Sequence, residues 1–253
     1  MALFVRVRQN LVHVKSFTIF LIGLYTRMRF GLTESIILLG GAEVRSELYR
    51  FKYESLCKAV KPILERKGFE VYIVEDEKQV LELVERMIPA NSVVSSGGSV
   101  TLVETGVLDL LRSGKYVFLD RYKASDRRAV ELEAFKADYY LCSANAITMD
   151  GELVFMDGWG NRVAAVTYGP KNVILIVSAN KIVENLDAAR ERIRYISPMN
   201  AKRLSLSTPC AVTGVCQDCD SPQRICRQYH IINDSRNQPG RIKIILTIKE
   251  FGL

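Results

Sequence analysis

The sequence has no apolar run long enough to cross a bilayer. The stretch Phe17-Thr18-Ile19-Phe20-Leu21-Ile22-Gly23-Leu24-Tyr25 follows basic residues, as in a signal peptide, but falls far short of the roughly 20 residues a spanning helix needs. No small-x-small cleavage site follows it, only Thr26-Arg27-Met28-Arg29. An integral membrane protein is therefore not expected. An even scatter of cysteines is also lacking: four of the six lie between Cys210 and Cys226. That clustering argues against a disulfide framework and for a reducing, cytoplasmic compartment. There is no internal period of solenoid length. With 16 glycines and 7 prolines the composition is neither fibrous nor disordered. No basic stripe is interleaved with aromatics, so nucleic acid is set aside despite a net charge of +7.

That charge is unevenly placed. No acidic residue precedes Glu34, whereas Arg6, Arg8, Lys15, Arg27 and Arg29 are basic, leaving 30 of the 35 basic residues against 28 acidic ones. The body of the protein is nearly neutral. Residues 1–33 read as an atypical N-terminal extension: a membrane-touching or targeting segment, an extra strand, or a translated upstream stretch with the start at Met28. The composition break favours the last.

A chain of 253 residues with 48% apolar content can bury one substantial core, expected over residues 34–253. From Ser46 the pattern alternates. Helices are expected at 46–67, 77–87, 100–112, 125–136 and 183–196, with one or two helical turns at 162–168. Strands are expected at 69–74, 91–95, 116–119, 138–142 and 172–177, and a last strand at 242–248 that rejoins the sheet. Asp150-Gly151 joins two short apolar runs, 146–148 and 153–156, as a tight hairpin. Strands alternating with helices imply parallel pairing. The fold class is thus α/β: a mostly parallel sheet flanked by helices, with an embedded β-hairpin.

In such sheets ligands bind at the carboxyl ends of strands. Ser95-Ser96-Gly97-Gly98-Ser99-Val100-Thr101 stands at one. Gly97 and Gly98 permit close approach to an anion and tolerate positive φ, Ser99 can cap the helix, and Ser96 or Thr101 can donate to a phosphate or carboxylate. The segment matches neither the dinucleotide fingerprint nor the phosphate loop with its lysine, and a plain capped turn reads equally well. Met156-Asp157-Gly158-Trp159-Gly160-Asn161-Arg162 gathers an acid, an amide and a cation around two glycines; the alternative is a turn in which Asp157 caps a helix. Asn145 follows a strand, and Glu104 lies one turn into the helix after the glycines.

Cys210, Cys216, Cys219 and Cys226 bracket a C-x-x-C with outer spacings of five and six residues. Thiolates this close suit zinc or an iron–sulfur cluster; a disulfide knuckle or free thiols remain the alternatives. His230, four residues after Cys226, would be a substitute ligand on a shared helical face. Cys57 and Cys142 read as core residues.

Taken in order, Ser96 to Leu102 with Glu104, Asp120-Arg121-Tyr122, Ser143 to Thr148, Asp150 to Leu153 and Gly160 to Ala165 resemble the lactate-utilisation (LUD) domain, in its short single-domain form. Gly169-Pro170-Lys171, Asn180 to Val183, Asn200 to Arg203 and the cysteine segment continue the likeness. The resemblance implies a fold akin to the glucosamine-6-phosphate deaminase, ribose-phosphate isomerase and coenzyme-A transferase group. It implies a role as an accessory or ligand-binding component in oxidation of L-lactate to pyruvate, beside iron–sulfur partner proteins. It carries over Glu104, Asp157 and Arg162 as site residues; only in a stand-alone enzyme, by analogy of fold, would Glu104 or Asp157 be the acid/base and Arg162 balance charge. Gly97, Gly98, Ser99, Thr101, Asn145 and Asn161 would contact an anionic small molecule. Trp159 stands where a smaller polar residue is expected. By analogy of fold, a stand-alone enzyme on a sugar-phosphate or acyl-CoA-like substrate is the second reading. A metal-stabilised binding module is the third, and a homo-oligomer is compatible with each. No flavin or nicotinamide fingerprint is present, so a redox centre would come from the C-terminal cysteines or from a partner.

Overall fold

A computed structural model describes residues 41–253. The expected extension 1–33 and its apolar run lie outside the described residues. Contacts group residues up to Phe51 into one unit and Lys52–Leu253 into another, and the latter holds both sheets and the core. Among the described residues no helix is long and apolar enough to cross a membrane.

Helix α1 (Gly41–Arg66) leads into β1 (Glu70–Val74), α2 (Glu77–Met87), β2 (Val93–Ser96) and the short helices α3 (Val100–Glu104) and α4 (Val107–Arg112). β3 (Val117–Leu119), α5 (Arg127–Glu133) and β4 (Tyr139–Cys142) follow, then the hairpin β5 (Ala146–Thr148) and β6 (Leu153–Asp157). α6 (Asn161–Tyr168), β7 (Asn172–Ser178), β8 (Ile182–Val183), α7 (Leu186–Arg203), α8 (Pro209–Thr213), β9 (Gln228–Ile232) and β10 (Ile242–Thr247) complete the order.

The main sheet is parallel throughout, in the order β1-β10-β7-β4-β2-β3. Its central strands are buried on both faces, which is why β7 reads as an unbroken apolar run. Val173, Leu175 and Val177 pack with Cys57, Val60 and Leu64 of α1 on one side. Ile174 and Ile176 pack with Val80, Leu83 and Val84 of α2 and with Leu102 and Leu111 on the other. Each such aliphatic side chain stabilises the fold by about 1.5–3 kcal/mol on burial. Side-chain caps start several helices: Asp76 accepts from Gln79 N at 3.0 Å, Asp126 from Ala129 N at 3.0 Å, and Asn185 from Ala188 N at 3.0 Å.

The expected hairpin is present, with Gly151 at φ 78°, but it belongs to a second sheet ordered β8-β5-β6-β9. Strand β9 was not expected, because Gln228-Tyr229-His230-Ile231-Ile232 does not alternate and none of it is fully buried. The single helix expected over 100–112 is two, broken at Gly106, whose φ of 72° a continuing helix does not allow. The helix expected over 183–196 starts only at Leu186, since Ile182 and Val183 pair with β5. It then runs through Pro198 to Arg203. Pro198 forgoes one helical hydrogen bond, but Ile196, Ser197 and Ala201 around it are buried, and their packing carries the helix on. Cys57 and Cys142 are core residues as expected, and burial pushes each thiol up to about 12.

Candidate functional site

Because all strands of the main sheet run the same way, their carboxyl ends converge on one edge, and a cavity of about 380 Å³ opens there. β2 delivers Gly98, Ser99 and Thr101; β3 delivers Arg121 and Tyr122; β4 delivers Ser143 and Asn145. Lys181, in the short 3-10 turn after β7, completes this wall. The end of β6, the loop after it and the start of α6 add Asp157, Trp159, Asn161 and Arg162.

The glycine turn is required by space and not by backbone angle: neither Gly97 nor Gly98 has a positive φ. A Cβ on Gly98 would stand 2.7 Å from the Tyr122 hydroxyl and 3.2 Å from Arg121 Nη2. One on Gly97 would stand 3.1 Å from Cys142 Cβ and 3.2 Å from Tyr140 Oη. Gly97 thus lies beneath the cavity, and Gly98 lines it. Ser99 caps α3, accepting from Leu102 N at 3.4 Å.

Arg162 and Asp157 form a buried pair, Nη2 to Oδ1 at 2.6 Å, with Nε donating to the same oxygen at 2.8 Å. Arg162 also donates to Ser143 O at 2.9 Å, Asn145 Oδ1 at 2.8 Å and Met156 O at 2.8 Å. Asp157 accepts from Val163 N at 3.1 Å, capping α6. These two residues therefore staple the β4 and β6 loops together. Asn145 is held likewise, its Oδ1 also accepting from Met156 N at 2.9 Å. Glu104 does not line the cavity; its Oε2 accepts from Gly252 N at 2.5 Å. Trp159 is 89% exposed at the rim, which answers how that loop accommodates a large side chain.

Lys181 was not expected in the site. Only 3% exposed, its ammonium donates to Thr101 Oγ1 at 2.8 Å and Ser143 Oγ at 3.2 Å, and no carboxylate among the described residues forms an ion pair with it. Burial, reinforced by the Arg192 and Arg162 guanidinium groups, lowers its pKa from 10.5 to about 7. Arg192 is itself a positioning group: it donates to Asn145 O at 2.7 Å and to Asn180 O at 3.2 Å, tying together the loops that carry Asn145 and Lys181. Arg121 pairs with Glu131 at 2.9 Å, yet its Nε is buried with no partner. The wall thus carries Arg121, Arg127, Arg162, Lys181 and Arg203 against one lining side-chain carboxylate, Asp157, with Glu131 paired behind both Arg121 and Arg127. That excess of positive charge in a partly enclosed cleft suits an anion.

The four clustered cysteines are unpaired and line a second cavity. Among the described residues no three His, Cys, Asp or Glu side chains are grouped so as to hold a metal ion. His230 lies on strand β9 and not on a helix with Cys226; its Nε2 is 3.0 Å from Thr167 Oγ1, away from the cysteines.

No curated protein matches the chain. A crystal structure of a DUF162 family protein from Deinococcus radiodurans is similar at 14% identity with a TM-score of 0.46, covering 77% of this chain and 98% of its own. The LUD domain model matches residues 57–247, a span that takes in every strand from β1 to β10 and the loops that build the cationic cavity. The chain belongs to the LUD domain family.

Proposed function

We propose that the cavity binds a small carboxylate of the 2-hydroxy or 2-oxo acid class, and that the protein is an accessory, ligand-binding component of L-lactate oxidation to pyruvate. The observation that carries this reading is Lys181: a buried ammonium without a carboxylate partner among the described residues, held by two hydroxyls at the floor of a cationic cavity. Glu104 acts on Lys181 without forming an ion pair with it, so an incoming carboxylate would supply a direct counter-charge. Gly98 and Ser99 line the same cavity beside it. Oxidation of the hydroxy acid removes two electrons and two protons. In this reading the electrons pass one at a time to iron–sulfur centres of a partner protein and the protons pass to water. A cytoplasmic location fits that chemistry.

The volume favours a second reading. A cavity of about 380 Å³ exceeds what a three-carbon acid fills, so a sugar phosphate or acyl-CoA-like ligand is the competitor. Calorimetric titration with L-lactate, pyruvate, phosphate and ribose 5-phosphate separates the two. Binding of pyruvate or lactate at pH 6.5 that is lost in Lys181→Met supports the proposal. Ribose 5-phosphate binding with no carboxylate binding overturns it in favour of the second reading, and binding of none overturns both.

A further inference from the structure

Lys181 sits where three adjacent strands of the main sheet end. It follows β7, and its two hydroxyl partners follow β4 (Ser143) and β2 (Thr101), strands that lie side by side in the order β7-β4-β2. All three residues line the anion cavity. Among the described residues the two hydroxyls are the only hydrogen-bond acceptors of Nζ. Each directs its own hydrogen to a backbone carbonyl, Thr101 Oγ1 to Phe251 O at 3.5 Å and Ser143 Oγ to Ala144 O at 3.3 Å, so each presents a lone pair to the nitrogen. Nearby Gly252 brings no side chain; a Cβ there would stand 2.9 Å from Nζ.

That arrangement suits a neutral amine as well as an ammonium. A neutral amine has two N–H bonds, which the two hydroxyls accept, and one lone pair, which no protein group takes up. An ammonium leaves its third N–H unused. Arg192 of α7 and Arg162 of α6 disfavour the ammonium, and Glu104 of α3 favours it. Burial is the largest influence and, with the arginines, outweighs Glu104, bringing the pKa to about 7. About half of the amine is then unprotonated at neutral pH, against less than about one part in a thousand for an ordinary lysine. A desolvated lysine beside other cations is the form in which this side chain attacks carbonyls. A purely structural lysine at this depth is instead expected in an ion pair with a carboxylate.

We infer that Lys181 Nζ forms an imine with the C2 carbonyl of a 2-oxo acid held in the cavity. This rests on the carboxylate reading above and narrows it to the oxo acid, since a hydroxy acid has no carbonyl at C2. The nitrogen lone pair forms the N–C bond while the carbonyl π pair moves to oxygen. That oxygen takes a proton from the nitrogen, with Thr101 Oγ1 and Ser143 Oγ within reach to relay it. The carbinolamine then expels its hydroxyl, with the remaining nitrogen proton, as water, and the C=N bond forms. A solvent proton on the imine nitrogen restores the positive charge that the ligand carboxylate faces. No oxidant or further reactant is consumed.

The test uses the full wild-type chain, incubated with pyruvate and sodium cyanoborohydride at pH 7, digested, and mapped by mass spectrometry. Reduction fixes an imine as a secondary amine, heavier by the mass of pyruvic acid less one oxygen atom. The expected result is one such adduct per chain, at Lys181, formed at least about tenfold faster than at exposed lysines such as Lys78. L-Lactate gives none, and unfolding in guanidinium before labelling removes the preference for Lys181. Pyruvate affinity is measured by calorimetry on the same protein without reductant. Pyruvate that binds while Lys181 stays unlabelled, or labels no faster than Lys78, overturns the imine and leaves the carboxylate reading standing. No binding and no adduct overturns both. An adduct from ribose 5-phosphate but not from pyruvate overturns the oxo-acid assignment together with the carboxylate reading.

Discussion

Replacing Lys181 with methionine keeps the length of the side chain and removes its charge. The unfolded chain holds the Lys181 proton up to about 10.5, whereas the folded chain releases it near 7. Between those values the unfolded state carries more protons, so wild-type stability rises with pH across that window and is flat below it. The drop corresponds to about 5 kcal/mol of destabilisation below pH 7, at about 1.4 kcal/mol per pH unit. Methionine removes this term, while Thr101 Oγ1 keeps its contact with Phe251 O at 3.5 Å and Ser143 Oγ keeps Ala144 O at 3.3 Å. At pH 6 Lys181→Met is therefore expected to melt above the wild type. From pH 7 to 9 the gap narrows by about 1.4 kcal/mol per unit, or roughly 3–5 °C per unit in melting temperature for a domain of this size. Thermal melts at pH 6, 7, 8 and 9 measure it. A saturating carboxylate, by holding the ammonium charged, flattens the wild-type profile and leaves the variant unchanged. A gap that stays constant from pH 6 to 9 refutes the assignment of a depressed pKa to Lys181.

Three further outcomes are expected. Gly98→Val drives a branched side chain against the Tyr122 hydroxyl and Arg121, so calorimetry with phosphate or pyruvate shows lost binding, while melting falls by only a few degrees because those side chains can swing outward. Asp157→Ala leaves the Arg162 guanidinium buried without its counter-charge and removes the α6 cap; denaturant titration is expected to show a loss of about 3–5 kcal/mol. Iodoacetamide at pH 8 on metal-free native protein is expected to label Cys216, Cys219 and Cys226. Mass spectrometry then finds Cys57 and Cys142 unmodified until denaturant is added, since burial holds both thiols near 12.

The α/β alternation was legible because helices such as 77–87 carry clean amphipathic spacing with a capping Asp76, and because a strand buried on both faces, β7, has no polar face to disguise it. Boundaries failed where packing overrode local chemistry, as at Pro198, or where a positive φ interrupted a run, as at Gly106. At the site, the glycine turn and the Asp157–Arg162 loop were visible as polar clusters after strands, and the fold brings them to one cavity. What spacing did not reveal is who pairs with whom: Asp157 and Arg162 neutralise each other, and Glu104 turns to the Gly252 amide. Lys181 escaped notice because nothing local separates it from a solvated lysine; a tight turn after β7 buries it. Its position just past the carboxyl end of a parallel strand is the signal that would have found it.

The place of β10 sets the order in which this protein can assemble. β10 lies between β1 and β7, and it is the neighbour of β1 in the main sheet, with Val74 against Thr247. A ribosome delivers β1 long before β10, so the strand and the apolar faces of α1 and α2 that pack over it wait exposed for most of synthesis. Closing that pairing spans nearly the whole described chain, which makes it a late and slow event with a window for aggregation. The ion pairs Lys58–Glu54, Lys61–Glu65 and Lys78–Glu82 place charge along the exposed sides of α1 and α2, opposite the faces that wait for that strand.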